Sequence, residues 1–170
     1  MANGASTVSS TWLADVRAEI GAVHGAAAAD AILGRLAPHI PAGYDELNWA
    51  NGARVDLPLV DRVATDPDAG PATAMLQFVE AAPHQWRFRV YHGGHAVPLA
   101  DLLPLLDHVG LRAMEERAFR FDVAGSPVWV HDVGVQVPDG VVLEGDTAAD
   151  ERRRELQRAF VAEFAGEVEV

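Results

Sequence analysis

The chain has 170 residues, enough for one domain of ordinary size, alone or with a short helical appendage. Hydrophobic residues make up 49% and charged residues 22%, a globular composition, and the absence of cysteine excludes disulfides, thiolate chemistry and cysteine-bound zinc. The formal charge of −12 disfavours nucleic acid and anionic membranes as partners; all 13 basic residues are arginine, which excludes lysine Schiff bases and P-loop lysines.

Residues 1–10 are small and polar, without the basic start and apolar run of a signal peptide, and are expected to form a disordered leader. Residues 11–65 are expected to form a helical lead-in. Trp12, Leu13, Val16, Ile20 and Val23 recur at three- and four-residue steps and mark one helix face, with Thr11 as its N-cap and Gly25 at its end. Ile32, Leu33 and Leu36 mark a second helix, stopped by Pro38 and Pro41. A third helical stretch is expected from Ala42 to Arg54, and Leu57, Val60 and Val63 suggest a short final turn. Thr65 to Pro71 is rich in turn formers and marks a break.

After the break, over residues 72–170, the period changes. Met75, Leu76, Phe78 and Val79 predict a strand over 73–80. Trp86, Phe88 and Val90 alternate with Arg87, Arg89 and Tyr91, the pattern of a half-buried strand. His92-Gly93-Gly94-His95 is a turn. Leu99 to Val109 is a leucine-rich helix; Pro104 is tolerated only in a first turn, which places the start near Ala100, and Gly110 ends it. Leu111 to Val123 and Val128 to Val137 are strands around the turn Ala124 to Pro127. Asp146 or Thr147 caps a last helix over 148–165, with Leu156, Phe160, Val161 and Phe164 inward.

This order is that of a ferredoxin-like α+β sandwich without a strand after its last helix; the strand at 73–80 is positioned to fill that edge from the N-terminal side. No segment carries the G-x-G-x-x-G dinucleotide fingerprint.

Reactive constellations are weak. His92 and His95 lie three apart in a loop, with no third ligand marked by spacing, so a solvated loop is expected rather than a metal site. His131 and Asp132 are adjacent on a strand and point to opposite faces, one inward and one exposed, which argues against a catalytic relay. Ser10 and Ser126 offer no nucleophile elbow. Glu115-Glu116-Arg117 suggests cross-strand ion pairs on a wet sheet face. Arg152-Arg153-Arg154, the one basic run, is expected to be solvated and paired with Asp150, Glu151 and Glu155. Trp86 and Trp129 are expected in the core, whereas Tyr44 and Trp49 are candidates for a docking surface.

The segment Val97-Pro98-Leu99-Ala100-Asp101-Leu102-Leu103-Pro104-Leu105-Leu106-Asp107-His108-Val109-Gly110-Leu111 resembles the PLSDVLPxLENxGL helix of the large NAD-specific glutamate dehydrogenases. Met114 to Phe119 resembles that family's DERPY strand, and Val128 to Val133 its WIHDF-like strand. Trp12 to Asp15 resembles its entry helix, Pro41 to Tyr44 its FPxxY turn, Ala53 to Leu57 its AxxDI step, and Phe160 to Glu169 the segment ending in GExE. The resemblance covers residues 12–169 in the same order. Two departures are Ala118 for the usual proline and Ala100 for the usual serine N-cap, the latter at roughly 0.5–2 kcal/mol.

The resemblance implies an ACT-like, non-catalytic segment of a cytoplasmic, multidomain homo-oligomer. NAD and the catalytic residues would belong to a part of the enzyme beyond this chain, and other domains and subunits would be its partners. It also implies a candidate amino acid effector site where the first sandwich strand meets its helix, at Gly93, Gly94, His95 and Asp101. Two other readings remain: a free-standing amino-acid-binding module of the same fold, and a small hydrolase gathering His131 with a carboxylate. An RNA-binding sandwich lacks both the stacking aromatics and the charge.

Overall fold

The computed structural model describes residues 8–48, 50–77, 82, 84–123 and 125–167. The chain forms two compact units: Met1–Ala69 with Tyr91–His95 and Phe119–Val130, and Gly70–Val90 with Ala96–Ala118 and His131–Val170.

The first unit begins with helix α1 (Ser10–His24). Its N-cap is Ser9 rather than Thr11: the Ser9 hydroxyl accepts from the Trp12 N–H at 3.3 Å. Val16 and Ile20 are buried, but Val23, expected on the same face, is 62% exposed. Gly25, at φ +93°, separates α1 from α2 (Ala26–Leu36), which buries Ala29, Ile32, Leu33 and Leu36. A short α3 (Tyr44–Leu47) precedes α4 (Ala50–Thr65). The break expected after Arg54 is absent, since α4 continues through Pro58 and buries Leu57, Val60 and Val63. Burial of that stripe outweighs the lost N–H, because tertiary packing supplies most of a helix's stability.

Tyr44 is fully buried and is no docking anchor. Its ring meets Trp12, Phe119 and Phe121 edge-on at 5.9, 5.2 and 5.4 Å. Its hydroxyl donates to Asp56 at 2.5 Å, as does that of Tyr91. Asp56 is wholly buried, so the two phenols supply hydrogen bonds that its carboxylate would otherwise take from water. Trp49 lies outside the described residues. Trp129 is half-buried, with Arg120 above its ring at 5.9 Å.

The second unit contains β1 (Ala72–Leu76), α5 (Leu99–His108), α6 (Thr147–Glu167) and most of the strands β2 (Gln85–Gly93), β3 (Arg112–Val123) and β4 (Ser126–Gln136). The four strands make one antiparallel sheet in the order β1-β2-β4-β3. β1 thus occupies the edge beside β2, where a ferredoxin-like sandwich places its last strand. It ends at Leu76; Phe78 and Val79, expected in the same strand, lie outside the described residues.

One face of the sheet supplies Trp86, Phe88, Val90, Val133 and Val135 to a core completed by Leu102, Leu105 and Leu106 of α5 and Phe160 and Phe164 of α6. Phe88 and Phe160 meet with their rings tilted and centroids 4.8 Å apart. α5 starts at Leu99 behind Pro98, which makes Ala100 its second residue and not its cap. Pro104 is the sixth residue, beyond the first turn. Its missing donor would have faced the carbonyl of Ala100, an exposed residue whose carbonyl water can satisfy. Asp146 caps α6 by accepting from the Ala149 N–H at 2.8 Å. Arg153 and Arg154 pair with Asp150 and Glu151 as expected. Arg152 and Arg153 also donate to the carbonyls of Val142 and Leu143, which fixes the loop before α6.

Candidate functional site: an arginine–aspartate cluster on the sheet

The sequence pattern predicts a wet second face for β2, and the structure corrects this. Arg89 and Asp132 are both 0% exposed, and His131 is 2% exposed, so adjacent residues of β4 are buried on both faces. A buried charge must be paired, and here the three neighbouring strands β2, β4 and β3 provide the pairing.

Asp132, on the central β4, receives three guanidiniums. Arg87 donates from Nε to Oδ1 at 2.9 Å and from Nη2 to the Asp132 carbonyl at 3.3 Å. Arg89 reaches both oxygens, Nε to Oδ1 at 3.2 Å and Nη2 to Oδ2 at 3.3 Å. Arg117 donates to Oδ2 at 3.0 Å. Burial opposes the charge on Asp132, but the positive charge of Arg89 and the hydrogen bond and charge of Arg87 outweigh it, holding the carboxyl below its ordinary range. Burial likewise disfavours the charge on Arg87, and its bonds to Asp132 and Glu115 more than compensate.

Arg87 also pairs with Glu115 through Nη1, with Nη2 to Oε2 at 3.5 Å. Gly134 lies beneath this pair: a Cβ there would stand 2.8 Å from Arg87 Nη1 and collide with Glu115 Oε1. Glycine is required for the two side chains to lie flat on β4. The pair borders an open cavity of about 350 Å³ whose other walls include Leu76, Trp86, Met114 and Val135.

On the opposite face His131 Nε2 accepts the Val97 N–H at 3.2 Å. Nδ1 therefore carries the proton and donates to Glu116 Oε2 at 2.9 Å. The imidazole does meet a carboxylate, but both its nitrogens are engaged and the ring is buried, so it cannot take a proton from a bound substrate.

Of the sequence-predicted effector residues, Gly93, Gly94 and His95 belong to the first unit and Asp101 to the second. Gly93 ends β2 in the first unit, and Gly94 follows at φ +97°, with its N–H already given to the Pro127 carbonyl at 3.0 Å. That donor is not available to a ligand. His95 is exposed, and its ring stands edge-on to that of the buried His92 at 5.5 Å. Asp101 belongs to the second unit, exposed in the first turn of α5. α5 begins behind Pro98, which has no N–H, and has no glycine in its first turn. Among the described residues no group of three His, Asp or Glu side chains is placed to hold a metal ion.

The arginine cluster was missed because alternation of Arg with Trp and Phe is read as water-facing. The available signal was Arg87-x-Arg89, two planar donors on one strand face in a chain without lysine, opposite Asp132.

An antiparallel four-stranded sheet with two helices on one face is the architecture of an ACT-like domain. Residues 71–151 match the family described as glutamate dehydrogenase, ACT3 domain. The chain is similar to the NAD-specific glutamate dehydrogenase of Halomonas elongata, 26% identical over 140 residues, 82% of this chain and 8% of that protein. It is similar also to the NAD-specific glutamate dehydrogenase of Pseudomonas aeruginosa, 28% identical over 130 residues, 76% of this chain and 8% of that protein. Residues 71–151 thus match a glutamate dehydrogenase ACT3 domain, the chain is similar to NAD-specific glutamate dehydrogenases over most of its length, and it spans about a twelfth of the length of the curated relatives it matches.

Proposed function

We propose that the chain is a non-catalytic regulatory or assembly segment of an NAD-dependent glutamate dehydrogenase, whose parent enzyme oxidatively deaminates L-glutamate to 2-oxoglutarate. The match of residues 71–151 to the ACT3 domain carries the reading; it runs from β1 into the first turn of α6 and takes in all four strands. The chemistry of the residues supports it. The two buried carboxylates at the sheet, Asp56 and Asp132, are held by phenols and guanidiniums, and the buried imidazole of His131 has both nitrogens engaged. Under this reading NAD is bound by the parent's catalytic part, the partners are the parent's other domains and subunits, and an amino acid is the candidate effector. The setting is cytoplasmic, and the −12 charge argues against nucleic acid and membrane partners. Among the described residues no helix is long and apolar enough to cross a membrane.

Two measurements test this. An antibody raised against the chain should detect, in the source cells, a polypeptide several-fold larger than 18.2 kDa. A band at 18.2 kDa alone would favour the free-standing binding module instead. The purified chain should form no NADH from glutamate and NAD; turnover at 340 nm would overturn the non-catalytic role.

A further inference from the structure

We propose that Arg87 is the anchor of a carboxylate-binding site in the cavity on the sheet, and that the Glu115 side chain occupies the ligand's place when the site is empty. This deepens the effector part of the proposal above and rests on it only for its regulatory meaning; the binding itself is independent of any parent enzyme.

The two carboxylates on Arg87 are not equivalent. Asp132 is wholly buried and holds the Nε edge and Nη2 of the guanidinium. Glu115 is 51% exposed and holds Nη1 from the cavity side, where Arg87 is 17% exposed. An ion pair with a half-exposed partner contributes little to stability, so Glu115 leaves cheaply. Arg87 does not move with it, because Asp132 fixes the other edge of its plane. A guanidinium held on one edge and open on the other is preorganised for a second carboxylate.

The exchange of one carboxylate for another leaves the charge balance unchanged: with Glu115 turned to solvent, Arg87 keeps its bonds to Asp132, which Arg89 and Arg117 also hold. The remaining walls decide what the carboxylate is attached to. Leu76 and Met114 are apolar, Gln85 and Gln136 are polar, Trp86 and Val135 turn their side chains into the core on the other face, and the volume of about 350 Å³ is at the small end for ligand pockets. Gly134 keeps the floor open where a methyl group would press on Arg87 Nη1. The ligand class is therefore a small carboxylate whose body meets Leu76 and Met114, such as an apolar amino acid or a plain carboxylic acid. Glu115 competes with it from within the chain.

The test is calorimetric titration of the whole 170-residue chain with three probes sharing one body: 3-phenylpropanoate, L-phenylalanine and 2-phenylethylamine. Binding is expected for the first and none for the amine. Glu115→Gln removes the internal competitor and should tighten 3-phenylpropanoate by about two- to fivefold, the worth of an exposed ion pair. Arg87→Met should abolish binding; should that variant misfold, the Glu115→Gln result decides alone. L-phenylalanine binding as tightly as 3-phenylpropanoate would support the site and identify amino acids as its ligands; weaker binding would support it and favour plain acids. The proposal is overturned if 3-phenylpropanoate binds neither wild type nor Glu115→Gln, if the amine binds equally well, or if Glu115→Gln does not tighten binding. None of these results bears on the size of the polypeptide in cells, so the two readings fail separately.

Discussion

Replacing Asp132 by asparagine keeps the shape of the side chain and removes its charge. Arg89, with no exposed surface, and the largely buried Arg87 would then face one another across an amide. Removing one partner of a buried ion pair costs roughly 3–5 kcal/mol, because the remaining charge is left without compensation. For a chain of this size each kcal/mol moves the midpoint by roughly 2–4 °C, so Asp132→Asn should melt about 6–20 °C lower at pH 7. The pH dependence gives the sign. The folded-state carboxyl of Asp132 is held below its ordinary value, so its stabilisation is fully present above about pH 4 and is lost as pH falls through the depressed folded value. Thermal unfolding followed by circular dichroism from pH 7 down to pH 3 should show the two proteins converging at the acid end. A variant that melts within 2 °C of wild type at pH 7, or a gap that does not narrow in acid, would refute the claim that Asp132 is an ionised hub for the three arginines.

Tyr91→Phe should destabilise the chain by roughly 1.5–3 kcal/mol, the worth of a hydrogen bond to a charged group, measured by urea unfolding. Adding Tyr44→Phe should give a non-additive total, since both hydroxyls serve the one carboxylate of Asp56. Phe160→Ala opens the core between Phe88 and Phe164 and should cost roughly 3–5 kcal/mol in the same assay. Asp146→Ala removes the α6 cap and should cost roughly 0.5–2 kcal/mol, with serine at that position restoring most of it.

The elements themselves were legible because they depend on local pattern. The leucine stripe of α5, the Asp146 cap and the period-two runs of β2 and β4 act within a few residues. The edge position of β1 was legible for a topological reason: a βαββα order leaves one place beside its first strand, and one spare strand was available. The helix through Pro104 was legible, but the continuity of α4 past Arg54 and through Pro58 was not, because burial of Leu57 and Val60 outweighs the loss of one N–H.

The charged face was not legible, and the reason is general. An arginine that alternates with Trp86 and Phe88 gives the same pattern whether its partner is water or a carboxylate 45 residues away. Period-two alternation says that a residue is polar on that face; it cannot say which solvent that face has. Here the solvent is other protein. Once Asp132 is buried, three guanidiniums around it follow from the cost of an unpaired charge. Once those are fixed, Glu115 on the exposed side of Arg87 is the one carboxylate of the group that can leave without exposing a buried charge. The same asymmetry that stabilises the sheet therefore supplies the chain with an exchangeable anion site.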